Sequence, residues 1–237
     1  MNLLKILIIY TVSLYNEYYR FVFVILGHVF VKLRHREEST LSLKANLSGH
    51  SYLNTHTLEV HGNKVSFLVH YWGATPVHYD NPVHKHSFFE VCYVLDGEGP
   101  YLAHGIEFEL KQDRMFLSRP GISHQIRSQT GLFLLFVAFE VKEGVSRKEG
   151  VQLFRELAQT ECFFTVLDAN NPSAELWNTL ITHAAKTHFF KKEILVSLAN
   201  ALLCSFYQTF TKYNNKNEEK LSIGTSAKLH QAKLFIE

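Results

Sequence analysis

The stretch His84-Lys85-His86-Ser87-Phe88-Phe89-Glu90-Val91-Cys92-Tyr93-Val94-Leu95-Asp96-Gly97 decides the fold. Phe88 to Leu95 is dense in aromatic and β-branched residues, and it stops at Asp96-Gly97-Glu98-Gly99, a hairpin signal. Alternate side chains of a strand share a face. His84, His86, Glu90, Cys92 and Val94 are therefore expected on one face, and Phe89, Val91, Tyr93 and Leu95 on the other. Two imidazoles and a carboxylate then converge inside a sheet or barrel. Such a convergence can bind a metal, hold a small ligand, or survive as the remnant of an older site.

The flanking sequence reads as more short strands. Val65–Trp72 is one, Tyr101–Ala103 and Ile106–Leu110 flank the turn His104-Gly105, and Arg114–Ser118 leads into Arg119-Pro120-Gly121. Ser123–Arg127 and Leu132–Val141 complete the set. Antiparallel strands at this density from Tyr52 onward imply a sandwich or barrel. After Glu143 the period changes. Val151, Phe154, Leu157 and Ala158 fit one helix face; Asn171 and Pro172 read as the N-cap and first residue of a second helix carrying Leu176, Trp177, Leu180, Ile181 and Ala184. A third helix, from about Lys192 to Tyr213, is apolar nearly all round. Such a helix needs two partners: the barrel, and either neighbouring helices of its own chain or a second subunit. Asn214–Lys220 reads as a polar linker, and Ser226 as the cap of a last short helix running to Glu237.

The composition is that of a globular chain, with 46% hydrophobic and 19% charged residues. A net charge of +2 neither favours nor excludes a nucleic-acid partner. Nineteen Phe and eleven Tyr suit a β-rich domain with aromatic interior faces. Three cysteines, Cys92, Cys162 and Cys204, make no disulfide framework and fit a reducing cytoplasm. Residues 1–48 hold two apolar runs, Leu3–Leu14 and Phe21–Val31, separated by Asn16, Glu17 and Arg20. Each is too short to span a bilayer, and Thr11-Val12-Ser13 is a poor signal-peptide cleavage site.

The run H-x-H-x3-E-x6-G from His84 to Gly97 resembles the first cupin motif, and Arg119-Pro120-Gly121-Ile122-Ser123-His124 resembles the second. The resemblance implies an antiparallel β-barrel (a double-stranded β-helix) with the ligand set His84, His86, Glu90 and His124. Two positions depart from the pattern: His78 stands where the first motif opens with glycine, and Ser128 where the second carries asparagine. The order barrel, helices, polar linker and terminal helix is similar to bacterial transcription regulators of the AraC type. That resemblance implies an apolar extension over 1–48, a cupin-like barrel over 49–145 and a two- to three-helix dimerisation segment over 146–213. A linker over 214–225 and the start of a DNA-binding region over 226–237 would follow. It further implies a cytoplasmic homodimer that senses a sugar-like effector, is not an enzyme, contacts no membrane, and binds DNA only through a domain this chain lacks.

On this reading His84, His86, Glu90, His124, Trp72 and Arg119 contact the ligand. Leu195, Leu198, Leu202 and Phe206 form the dimer seam. Trp72 either stacks on a sugar ring or packs in the core; Arg119 either grips an anion in bidentate fashion or forms a surface salt bridge. His70, His78 and His104 read as surface or turn residues, and Tyr93 as packed beneath the helices. No cofactor is expected from the AraC resemblance. His84, His86, Glu90 and His124 are nevertheless sound ligands for a divalent metal, and the competing reading is a metal-dependent cupin dioxygenase or isomerase. Lys228 and Lys233 cannot supply the several phosphate contacts of an operator complex. A gel-shift titration of this chain at moderate salt is expected to show no sequence-specific complex, and a tight one would refute the regulator-without-reader layout.

Overall fold

Alternation of apolar residues along three long strands builds one sheet with two buried faces. In the computed structural model, which describes residues 49–167 and 171–211, these are β2 (Phe67–His78), β3 (Phe89–Gly97) and β8 (Leu132–Val141). With β1 (Glu59–Val60), β6 (Arg114–Ser118) and β9 (Phe164–Val166) they form a sheet of order β1-β2-β8-β3-β6-β9. A second sheet, β5-β4-β7, comprises β4 (Gly99–Ala103), β5 (Ile106–Leu110) and β7 (His124–Ile126). Among the described residues every strand pairing is antiparallel, and the described part is a cupin-like barrel of two sheets followed by helices.

A bulge fixes which side chains face which way. Val69 pairs with Phe139, but Tyr71 pairs with Ala138, so His70 is the extra residue on β2. Beyond it, Tyr71, Ala138, Glu90 and Ser118 form one cross-strand row, and Trp72, Val137, Val91 and Leu117 form the next on the opposite face. Gly97 closes β3 at a φ of 85°, where an added Cβ would lie 2.2 Å from the Gly131 carbonyl oxygen. The motif's terminal glycine is thus required both by its left-handed backbone and by close approach.

The helices cover the face that carries Trp72 and Val91. Residues 49–56 are helical and belong to α1, where the sequence suggests strand from Tyr52. Its Asn54 clamps the Trp72 backbone, accepting from Trp72 N at 2.9 Å and donating to Trp72 O at 2.7 Å. α2 (Lys148–Ala158), α3 (Pro172–Ala185) and α4 (Lys191–Thr211) follow. Asn171 caps α3 as its sequence suggests, its side chain accepting from Ser173 N and Ala174 N. Aromatic contacts join helices to sheet: Phe206 lies 6.0 Å from Phe139 and 5.7 Å from Trp177, and Phe154 lies 5.1 Å from Phe67. Tyr93, 6.3 Å from Trp177, packs beneath the helices. β9 went unread in the sequence; it adds to β6 at the sheet edge.

The expected dimer seam needs correction. Leu195, Leu202 and Phe206 are 0% exposed within the single chain, because α2, α3 and the sheet already cover them. Leu198 alone of the four is partly exposed, beside the similarly half-covered Ile194 and the exposed Ala201. By length and composition alone α4 could cross a membrane, yet here it packs against α2, α3 and the barrel. The N-terminal extension 1–48, the linker 214–225 and the terminal helix 226–237 lie outside the described residues.

This burial generates a stability prediction. Phe206→Ala removes a ring from the helix–sheet core and should lower unfolding free energy by about 3–5 kcal/mol, read as a lower urea midpoint. A loss below about 1 kcal/mol, within the range of ordinary surface substitutions, would mean that α4 does not pack as described.

Candidate functional site

Backbone pairing brings the two motifs together. His84 and His124 exchange both backbone hydrogen bonds, at 3.0 and 2.9 Å, and Gly121 N donates to His86 O at 2.8 Å. The loop Arg119–His124 is thereby sewn to the segment that carries His84 and His86. Gly121 takes a φ of 78° at the turn. Nearby, Asn81 Oδ1 accepts from Ile126 N at 2.8 Å, and Asp80 Oδ1 from Ser128 N at 2.9 Å. Ser128, at the departed motif position, donates from Oγ to Glu98 O at 2.6 Å and ties a third loop to this edge.

The three imidazoles are oriented alike. Each Nδ1 is hydrogen-bonded to a backbone carbonyl two residues away: His84 to Pro82 O at 3.0 Å, His86 to Phe88 O at 2.7 Å, and His124 to Ile122 O at 3.0 Å. A carbonyl oxygen only accepts, so each Nδ1 carries a hydrogen, and Nε2 is the ring nitrogen left without a backbone partner. One ligand atom from each ring lies within 4.8 Å of those of the other two. Nε2 of His86 and of His124 are buried without a hydrogen-bond partner. Phe88 stacks on His86 with ring centroids 4.3 Å apart and planes within 2°.

Glu90 stands in the row below. Its Oε1 accepts from the Tyr71 hydroxyl at 2.6 Å, and its Oε2 lies 3.7 Å from His86 Nε2, an electrostatic contact beyond hydrogen-bond reach. Burial acts to raise the Glu90 carboxyl, but the His86 ring and the Tyr71 hydroxyl outweigh it, helped by His124, and hold it below the usual carboxylate range. The same surroundings push the Tyr71 phenol up, through burial first and Glu90 second. Cys92, one pleat deeper, is fully buried, and desolvation raises its thiol far above the ordinary range. Tyr101 Oη pairs with Ser118 Oγ at 3.1 Å, and its ring centroid lies 5.9 Å from that of His124.

Four of the six expected ligand residues, His84, His86, Glu90 and His124, share this cup. Trp72 does not: the bulge at His70 turns it to the helix face, 2% exposed, with Nε1 donating to Thr57 O at 3.3 Å. Arg119 is engaged with the protein's own groups, and among the described residues it forms no salt bridge. It is 8% exposed, its guanidinium donates to the Thr160 carbonyl and to His104 Nε2, and it stacks 4.9 Å over Phe163. Its nearest partners lie on the β4–β5 turn and on the segment after α2.

Sequence reasoning missed two residues. Tyr71 enters the cup because of the bulge, which no local pattern announces. His78, set aside as a surface residue, has its Nε2 buried without a partner. Burial lowers its imidazole most, while Glu90 and Asp80 oppose that effect and His84 adds to it. Its signal was its place, where the first motif has glycine.

The pH dependence follows from His124. Burial holds its imidazole below the ordinary range, with His84 and His86 adding to the effect against Ile122 O and Glu90. The unfolded chain therefore takes up the proton first as pH falls through about 6.5, and stability declines from there down to the depressed folded value. Denaturation midpoints of the wild type should fall over that window, and His124→Gln should flatten the decline. An unchanged slope would place the pH sensitivity elsewhere.

A family model described as "AraC-like ligand binding domain" matches residues 64–163. The "Uncharacterized HTH-type transcriptional regulator YfiF" of Bacillus subtilis is 41% identical over 199 residues, 83% of this chain and 63% of that protein. The chain thus spans about 63% of the length of this curated relative. Solved structures similar in part include an RmlC-like cupin from Shewanella frigidimarina, 21% identical over 36% of this chain and 86% of that one, with a TM-score of 0.27. A predicted oxalate decarboxylase from Thermotoga maritima is 23% identical over 32% of this chain and 78% of that one, with a TM-score of 0.25. Likeness at those scores adds no weight to the topology itself. Residues 64–163, which supply most of the two-sheet barrel, are thus similar to the AraC-like ligand binding domains.

Proposed function

We propose that this chain is the small-molecule-sensing and subunit-pairing region of an AraC-like transcription regulator, working in the cytoplasm and not as an enzyme. The single observation that carries the sensing role is the cup of His84, His86 and His124, in which one ligand nitrogen from each ring lies within 4.8 Å of the others while each Nδ1 is anchored to backbone. A concave site with a few convergent polar groups against aromatic walls is the ordinary form of a ligand pocket. In this reading residues 49–145 hold the effector and 146–213 pair two copies. Effector binding biases the packing of barrel on helices, and a DNA-reading unit responds. The seam passes to the outer stripe of α4, around Ile194, Leu198 and Ala201.

The second reading, a metal-dependent cupin, draws on the same imidazoles. Two buried orphan Nε2 atoms and a third beside them fit a divalent first-row metal. His84, His86 and His124 would hold it, and it would supply a Lewis acid at the cup. Glu90 accepts from Tyr71 and keeps its Oε2 3.7 Å from His86 Nε2. Elemental analysis separates the readings: near-stoichiometric metal, lost in His86→Ala, favours the metallocupin.

Two further tests bear on the leading reading. Purified chain exposed to a small-molecule cell extract and then denatured should release a compound that His86→Ala and His124→Ala chains do not retain; no such compound would sink the sensing role. Leu198→Asp should weaken self-association without unfolding the chain, whereas Leu202→Asp should unfold it. Light scattering that finds a wild-type monomer at high concentration would remove the pairing role.

A further inference from the structure

We infer that Arg119 and Thr160 are positioning residues that couple the turn of the second motif, at the cup, to the last turn of α4. This rests on the sensing reading and names the side chains through which the cup is felt outside the barrel. An α-helix ends on carbonyls that its own turns leave unpaired. At the end of α4 one of these is Phe210 O, on a residue that is 0% exposed. The Thr160 hydroxyl donates to it at 3.2 Å and accepts from Cys162 N at 3.2 Å, so its one hydrogen has one direction. A second clasp holds the same end from the first turn of α3. Ser205 Oγ donates to Leu202 O at 2.7 Å, so Ser173 Oγ donates to Ser205 Oγ at 2.6 Å and accepts from Thr209 Oγ1 at 2.7 Å.

The other side of Thr160 belongs to Arg119. The Arg119 guanidinium donates to the Thr160 carbonyl and to His104 Nε2, and it lies 4.9 Å over the Phe163 ring. Two residues before Arg119, Leu117 N donates to Phe163 O at 2.8 Å. Residues 160–163 are thus held between the strand that leads into the second motif and the end of α4. Arg119 also opens the motif's turn: its carbonyl accepts from Ile122 N at 3.2 Å, and Gly121 N donates to His86 O at 2.8 Å. From the cup outward the path runs through Gly121, Arg119, Thr160 and Phe210, each step a hydrogen bond or a short run of backbone. A side chain that only filled space here need not be charged. Arg119 is 8% exposed, and a buried guanidinium without a carboxylate costs more than an apolar side chain of similar volume. Its use is direction, because a planar fork reaches Thr160 and His104 at once. Chains of directional contacts of this kind carry coupling between separated sites.

Hydrogen exchange of the full chain, followed by NMR without any ligand, tests the path. Three amides report: Gly121 at the cup, Thr211 at the end of α4, and Val151, whose bond to Arg147 O at the start of α2 lies off the path. Thr160→Val removes only the hydroxyl that grips α4. It is expected to speed exchange about fivefold, the worth of one hydrogen bond, at Thr211 and also at Gly121, with Val151 unmoved. Thr160→Ser should restore both rates. In an Arg119→Lys chain, which keeps the charge and loses the fork, adding Thr160→Val should speed Thr211 and leave Gly121 at its Arg119→Lys rate. If Arg119→Lys does not fold, the Val and Ser variants decide by themselves. A response at Thr211 without one at Gly121 overturns the inference, and so does an equal rise at Val151, which marks general loosening. If the coupling is found while no compound is retained from cell extract, the path stands and the sensing role falls. If a compound is retained while Gly121 is unmoved, this inference falls alone.

Discussion

Between Val69 and Tyr71 the pairing of β2 with β8 skips one residue, and the rest of the molecule is organised around that skip. Before the bulge Phe67 and Val69 face the helices. After it Trp72 takes that face, and Tyr71 joins Glu90 across the sheet. Both faces of this sheet are buried, so the register cannot slide: a one-residue slip would carry the Glu90 carboxylate into the helix core and Val91 into the cup. The aromatic layer of Phe67, Phe139, Phe154, Trp177 and Phe206 locks one side, and the Tyr71–Glu90 hydrogen bond belongs to the other.

On that frame the histidines are held by backbone. The reciprocal His84–His124 bridge and the Gly121–His86 bond fix the two motif segments against each other, and short Nδ1 bonds to carbonyls fix each ring. The arrangement is organised before any ligand arrives. Its cost is that buried Nε2 atoms lack partners in the free protein, which stability alone does not explain.

The helices carry a different constraint. α4 is apolar over much of its surface because it packs against α2, α3 and the barrel together. Its innermost residues, Leu195, Leu202 and Phe206, are needed to hold the chain's own parts together, so they are unavailable to a second copy. Among the described residues of α4, Ile194, Leu198 and Ala201 keep part of their surface uncovered.

The amino-acid sequence by itself determined the strands from Phe67 to Val141, the capped start of α3, and the convergence of His84, His86, Glu90 and His124, because alternation, turn chemistry and motif spacing are local patterns. It could not determine that Trp72 leaves the cup and Tyr71 enters it, since a bulge inverts the facing of every later residue and is settled by the partner strand. Nor could it decide that Arg119 turns to Thr160 and His104, or that the His78 ring buries its Nε2. Those choices depend on which distant segments pack together, and only the closed barrel with its helices makes them.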